Sequence, residues 1–94
     1  MVTVVAKWKF KQGQLENARP ILNQLVSATR SESGNICYDL YHSANDPEQI
    51  LLFEQYSDDA AFAEHRSSRH FQSLAIGYLI PLLENRTVQV FKQC

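Results

Sequence analysis

Several stretches of this chain alternate as strands do, yet carry large apolar side chains on both faces. In the stretch from Asn35 to His42, Ile36, Tyr38 and Leu40 share one face, and Cys37 and Tyr41 the other. From Gln49 to Tyr56, Ile50 and Leu52 oppose Leu51 and Phe53; near the C-terminus Val88 and Val90 oppose Phe91. A sheet with helices on one side is ordinarily polar on the other. An open face bearing Tyr41, Leu51, Phe53 and Phe91 would exceed the apolar patch that a soluble monomer tolerates. A second copy packed sheet against sheet removes that patch, and twofold symmetry is the commonest way to do it. A homodimer through the sheet faces is therefore expected. Size points the same way, because 94 residues make one domain, spanning 1–94, and a domain so small buries only about 60–65% of its unfolded surface.

The period of the pattern lays out the rest. Val2, Val4, Ala6, Trp8 and Phe10 alternate with Thr3, Val5, Lys7, Lys9 and Lys11, which is a strand ended by Gly13. From Gln14, Leu15, Ala18, Leu22, Leu25, Val26 and Thr29 fall at helical spacing. Pro20 inside that helix predicts a bend, or a first turn offset from the rest, and Gly34 a left-handed cap at its end. The two central strands follow, joined by the turn Ser43-Ala44-Asn45-Asp46-Pro47. Ser57-Asp58-Asp59 caps a short helix with Ala60, Ala61, Phe62 and His65, and Ser67-Ser68 breaks it. A further helix should bury Phe71, Leu74, Ala75, Tyr78, Leu79 and Leu82, and a last strand should run from Arg86 to Lys92. The order β-α-β-β-α-α-β predicts an α+β, ferredoxin-like antiparallel sheet with right-handed crossovers.

Much is excluded. Nine basic and ten acidic residues give a formal charge of −1, which offers no footprint for nucleic acid or an anionic membrane. Cys37 and Cys94 form neither a disulfide framework nor a zinc spacing. Met1-Val2-Thr3-Val4-Val5 is no signal peptide, and the run Ile76 to Leu83 is too short to span a bilayer. A cytoplasmic protein is expected. No nucleophile elbow, phosphate loop, dinucleotide fingerprint or metal motif occurs. His65 and His70 are five apart, about 140° around a helix, and so are no helical metal pair.

What remains is a loose cluster: Glu54 and Tyr56 on one strand face, His65 closing the short helix and His70 opening the next. A carboxylate, a phenol and two imidazoles beside an apolar cavity could handle protons near neutral pH. Each also has a plain structural explanation. His65 could complement a helix dipole, His70 could cap, Tyr56 and Tyr38 could be sheet residues, Trp8 could be core, and Glu54 could pair with Arg66 or Arg69.

Three segments together resemble a known family. Ser33-Gly34-Asn35-Ile36-Cys37-Tyr38-Asp39, Leu52-Phe53-Glu54-Gln55-Tyr56-Ser57-Asp58 and His65-Arg66-Ser67-Ser68-Arg69-His70-Phe71 are similar to the antibiotic biosynthesis monooxygenase domain over nearly the whole chain. The resemblance implies a dimeric α/β barrel. It also implies oxygenation of a quinol or other electron-rich aromatic with no cofactor and no metal. A branch of the family instead isomerises a small phosphorylated carbonyl compound, and a non-catalytic dimeric binding domain is a third possibility. The haem-degrading branch places its iron-binding His where this chain reads Gln72-Ser73-Leu74-Ala75-Ile76, so haem chemistry is not expected. Carried over, the catalytic set is His65 as base, Glu54 as its orienting partner, Tyr56 as a donor to a substrate oxygen, and His70. Trp8, Tyr38, Phe71 and Arg66 are the candidate substrate contacts. For the isomerase alternative, Arg66, Arg69 and Lys7 are the candidate phosphate anchors.

Overall fold

A computed structural model describes all of residues 1–94. The alternation at the N-terminus forms β1 (Val2–Phe10), whose Val2, Val4, Ala6, Trp8 and Phe10 are all buried on one face. It is followed by α1 (Gln14–Arg30), β2 (Asn35–His42), β3 (Gln49–Tyr56), α2 (Asp59–Ser67), α3 (Phe71–Leu79) and β4 (Leu83–Lys92). The sheet is ordered β2-β3-β1-β4 with every neighbour antiparallel. That is the ferredoxin-like arrangement the element order predicts. No helix is long and apolar enough to cross a membrane.

The core lies between the sheet and α1, joined by α3. Leu15, Ala18, Leu22 and Leu25 of α1 meet Trp8, Phe10, Ile50 and Leu52, with Ala75 and Leu79 from α3. Burying a side chain of this kind contributes about 1.5–3 kcal/mol. A smaller cluster of Val2, Val4, Tyr56 and Ala61 holds α2 against the other end of the sheet. The Asp58 carboxylate accepts the Ala61 N–H at 2.8 Å, which fixes where α2 begins. Ser68 is extended and ends it, as the Ser67-Ser68 pair suggested.

Several details depart from the sequence reading. α1 includes Pro20 and stops at Arg30, short of Gly34, with Ser31 as a right-handed cap. Gly13 alone has positive φ, so Gly34 is no left-handed cap. Its lack of a side chain serves packing, because a Cβ there would lie 2.3 Å from the Ala61 Cβ. Ile36 does not share the face of Tyr38. A bulge between Asn35 and Cys37 removes it from the ladder and leaves it 54% exposed. α3 is wound with π-type turns, and its last N–H, from Ile80, reaches back five residues to Ala75. The wider turn changes which side chains face inward. Ala75 and Leu79 are buried, Phe71, Leu74 and Leu82 half-buried, and Tyr78 exposed. A short 3-10 turn, Ile80–Leu82, then leads into β4 three residues before the predicted start at Arg86. As an edge strand β4 is exposed on both faces, Val88 and Val90 on the helix side and Phe91 on the outer side.

Candidate active site

Strand register assembles the floor of a cavity. Tyr38, Glu54 and Val4 stand side by side across β2, β3 and β1, while Trp8 is flanked by Ile50 on β3 and Arg86 on β4. α2 lies above and lowers His65 toward the Tyr38–Glu54 row, with α3 bringing Phe71 alongside. The cavity holds about 240 Å³, is partly open to solvent, and two thirds of its lining residues are apolar.

Of the eight site residues expected from sequence, six meet at this cavity: Glu54, His65, Trp8, Tyr38, Phe71 and Arg66. Tyr56 and His70 do not reach its wall. Tyr56 is fully buried behind Glu54, where its hydroxyl donates to Glu54 Oε1 at 2.7 Å. That hydroxyl is committed to Glu54 and not to a bound molecule. Glu54 is buried and pairs with neither Arg66 nor Arg69. Arg66 instead lies over the Phe62 ring, 4.4 Å from its centroid, a cation–π contact that fixes it beside His65. Lys7 and Arg69 are outside the cavity.

The orienting partner of His65 was not foreseen. Glu32, in the turn between α1 and β2, lies 2.8 Å from His65 Nδ1 through Oε2, and the same oxygen accepts from His70 Nε2. Glu54 is the more distant neighbour, 3.9 Å from His65 Nε2. A carboxylate on Nδ1 keeps that nitrogen protonated and leaves the lone pair on Nε2. Burial holds the His65 pKa below its ordinary value, with Glu32 pulling partly the other way. The ring is thus a neutral base at neutral pH, packed among Tyr38, Tyr56 and Phe71. Burial also pushes the Glu54 carboxyl up to about 7, against the Tyr56 hydrogen bond and aided by the Glu32 charge. Burial raises both Tyr38 and Tyr56 well above the ordinary phenol value. Glu54 is therefore the cavity carboxyl that titrates near neutrality, and His65 is the neutral imidazole beside it.

Glu32, His65 and His70 offer donor atoms within 4.8 Å of one another, so two imidazoles and a carboxylate could in principle hold a metal. Two N–H donors converging on one carboxylate oxygen account for the same geometry. At the opposite end of the cavity the Trp8 indole N–H is buried and has no acceptor in the chain. Arg86, Val88, Ile76 and Phe62 are wall residues that sequence reasoning did not single out.

A ferredoxin-like antiparallel sheet with helices on one face, a largely apolar cavity between them and a buried imidazole in its wall define the class as a small α+β domain with a candidate ligand site. The sequence profile described as antibiotic biosynthesis monooxygenase matches residues 1–75, and the chain belongs to that family. It is 37% identical over 70 residues to Rv0793 of Mycobacterium tuberculosis, described as a candidate monooxygenase, covering 74% of this chain and 68% of that one. It is 31% identical over 72 residues to YcnE of Bacillus subtilis, similarly described, covering 77% and 76%. A crystal structure of an antibiotic biosynthesis monooxygenase superposes with TM-score 0.93 at 26% identity, over 100% of this chain and 99% of the other. The structure of Rv0793 superposes with TM-score 0.89, over 99% and 94%.

Proposed function

We propose that this protein is a monooxygenase acting on a quinol or a similarly electron-rich aromatic, with His65 as the base. The observation that carries the reading is the neutral His65, tied through Nδ1 to Glu32 with Nε2 free at the wall of an apolar cavity. A quinol is its own reductant. His65 Nε2 takes one hydroxyl proton, and the quinolate passes electrons to dioxygen. A carbon–oxygen bond forms, the O–O bond breaks, and water leaves. The balance is quinol plus O2 to hydroxyquinone plus H2O, with one oxygen atom in each product. The protein's tasks are to bind the ring, remove the proton and exclude water. Arg66, anchored on Phe62, supports the anion formed beside His65. Glu54, about half-protonated at neutral pH, is placed to return a proton to the departing oxygen.

The isomerase alternative needs acid–base groups on two sides of a carbon. His70 is turned to Glu32 and away from the cavity wall, so geometry favours the oxygenase. The untested assembly enters the same proposal: a twofold dimer through the outer sheet face, where Tyr41 and Phe91 are exposed and Leu51 and Phe53 half-buried.

Oxygen consumption with a panel of quinols tests the reading. At least one should be consumed above its autoxidation rate, and His65→Ala should slow that turnover by about 10²–10⁴-fold. A panel on which His65→Ala performs as well as the native protein would sink the role given to this residue.

A further inference from the structure

The end of the cavity away from His65 is built differently from the end that holds it. Four residues along β1 separate the Val4–Glu54 row from the Trp8–Arg86 row, about 13 Å of strand. At the near end are a base, a titrating carboxyl and a guanidinium stacked on Phe62. At the far end are two donors and no acceptor: the buried Trp8 indole N–H, which has no partner, and the Arg86 guanidinium, which has no carboxylate within 4 Å. Lys9, Arg19, Arg30 and Lys92 bind carboxylates; Arg66 and Arg86, the two cations in the cavity wall, bind none, nor do Lys7, Lys11 and Arg69 outside it. Val88 and Ile76 line the space beside them, so nothing else there competes for an anion.

We infer that the substrate is an anionic aromatic, carrying a carboxylate that Arg86 binds at the far end of the cavity while its ring lies toward His65. Trp8, directly across the ladder from Arg86, supplies a neutral donor on the same side of the sheet. A guanidinium matches a carboxylate with two parallel N–H donors, which fixes orientation as well as charge. Arg86 is then a specificity residue that places the ring and touches no reacting atom. It lies beyond residues 1–75 that match the family profile. It also lies on the helix side of the sheet, so the proposed dimer seam on the outer face leaves it free. This inference rests on the reading of the cavity as the site of an aromatic substrate.

Isothermal titration under argon tests it with a matched pair, 1,4-dihydroxy-2-naphthoate and its methyl ester, which share the quinol ring and differ in charge. The native protein should bind the acid about tenfold more tightly than the ester. Arg86→Gln should remove most of that preference while leaving ester affinity unchanged, and Arg86→Lys should restore part of it. Arg69→Gln, which changes the net charge equally but lies outside the cavity, should keep the preference intact. Equal binding of acid and ester by the native protein, a preference that survives Arg86→Gln, or binding of neither compound overturns the inference. Admitting air separates it from the broader reading. Tight binding of the acid without oxygen uptake leaves the anion site standing and removes the monooxygenase, whereas turnover of the ester alone does the reverse.

Discussion

Glu32 and Glu54 divide the electrostatic work around His65 between its two ring nitrogens. Glu32 fixes the tautomer, and Glu54 sits on the side where the proton must go. The Glu54 carboxyl yields a prediction whose sign follows from burial. Its pKa rises from 4.5 to about 7 on folding, so between those values the folded state keeps a proton that the unfolded chain has released. Native stability therefore falls as pH rises through that window and does not recover above it. A glutamine side chain in its place has no such proton to hold and can still accept from Tyr56. Relative to the native protein, Glu54→Gln should gain stability between pH 5 and pH 8, by up to about 3 kcal/mol, in denaturant titrations at each pH. Parallel curves for the two proteins would show that Glu54 titrates as an ordinary surface carboxyl. The alternation of β3 made Glu54 and Tyr56 legible as neighbours, and helix spacing placed His65. Glu32 gave no such signal, because a charged residue in the turn Ser31-Glu32-Ser33-Gly34 has no period and reads as solvated. Only the tertiary approach of α2 and α3 gives it its two imidazoles.

The elements that hold the site in place meet at close tolerances. Gly34 at the entry to β2 lets α2 approach until the Ala61 Cβ fills the space that a Gly34 side chain would need. Gly34→Ala should push α2 outward, costing about 1–3 kcal/mol by denaturant unfolding and displacing His65 and Arg66 with it. Ala61→Gly removes the obstructing methyl, so the double variant should recover a large part of the loss in a double-mutant cycle. Additive losses would mean that the two residues do not meet. β1, α1 and β3 were plain in the sequence because each buries a face at its own period. α3 was misjudged in detail because its π-type winding turns residues chosen for a 3.6-residue period, such as Tyr78, out to solvent. The bulge at Ile36 and the role of β4 in the cavity wall were hidden for a related reason. Both depend on register against a neighbouring strand, which a single segment's pattern does not contain.

At the scale of the whole molecule, apolar side chains remain open on the outer sheet face. Covering Tyr41, Leu51, Phe53 and Phe91 in a twofold dimer would contribute several times the 1.5–3 kcal/mol roughly expected per large apolar side chain. Sedimentation should show a species near twice the 10.8 kDa chain mass, with a melting temperature that rises with protein concentration. Phe53→Asp should give monomer or aggregate, and a stable native monomer at micromolar concentration would refute the assembly. On the proposed reading, dioxygen is cleaved and one of its atoms enters the substrate. That claim is tested most directly by turnover of a quinol under ¹⁸O2 in ordinary water, with the product read promptly by mass spectrometry. The account predicts one labelled oxygen per molecule of hydroxyquinone, and loss of that product with His65→Ala. A quinone without the label, formed while oxygen is consumed, would show a simple oxidase and contradict it.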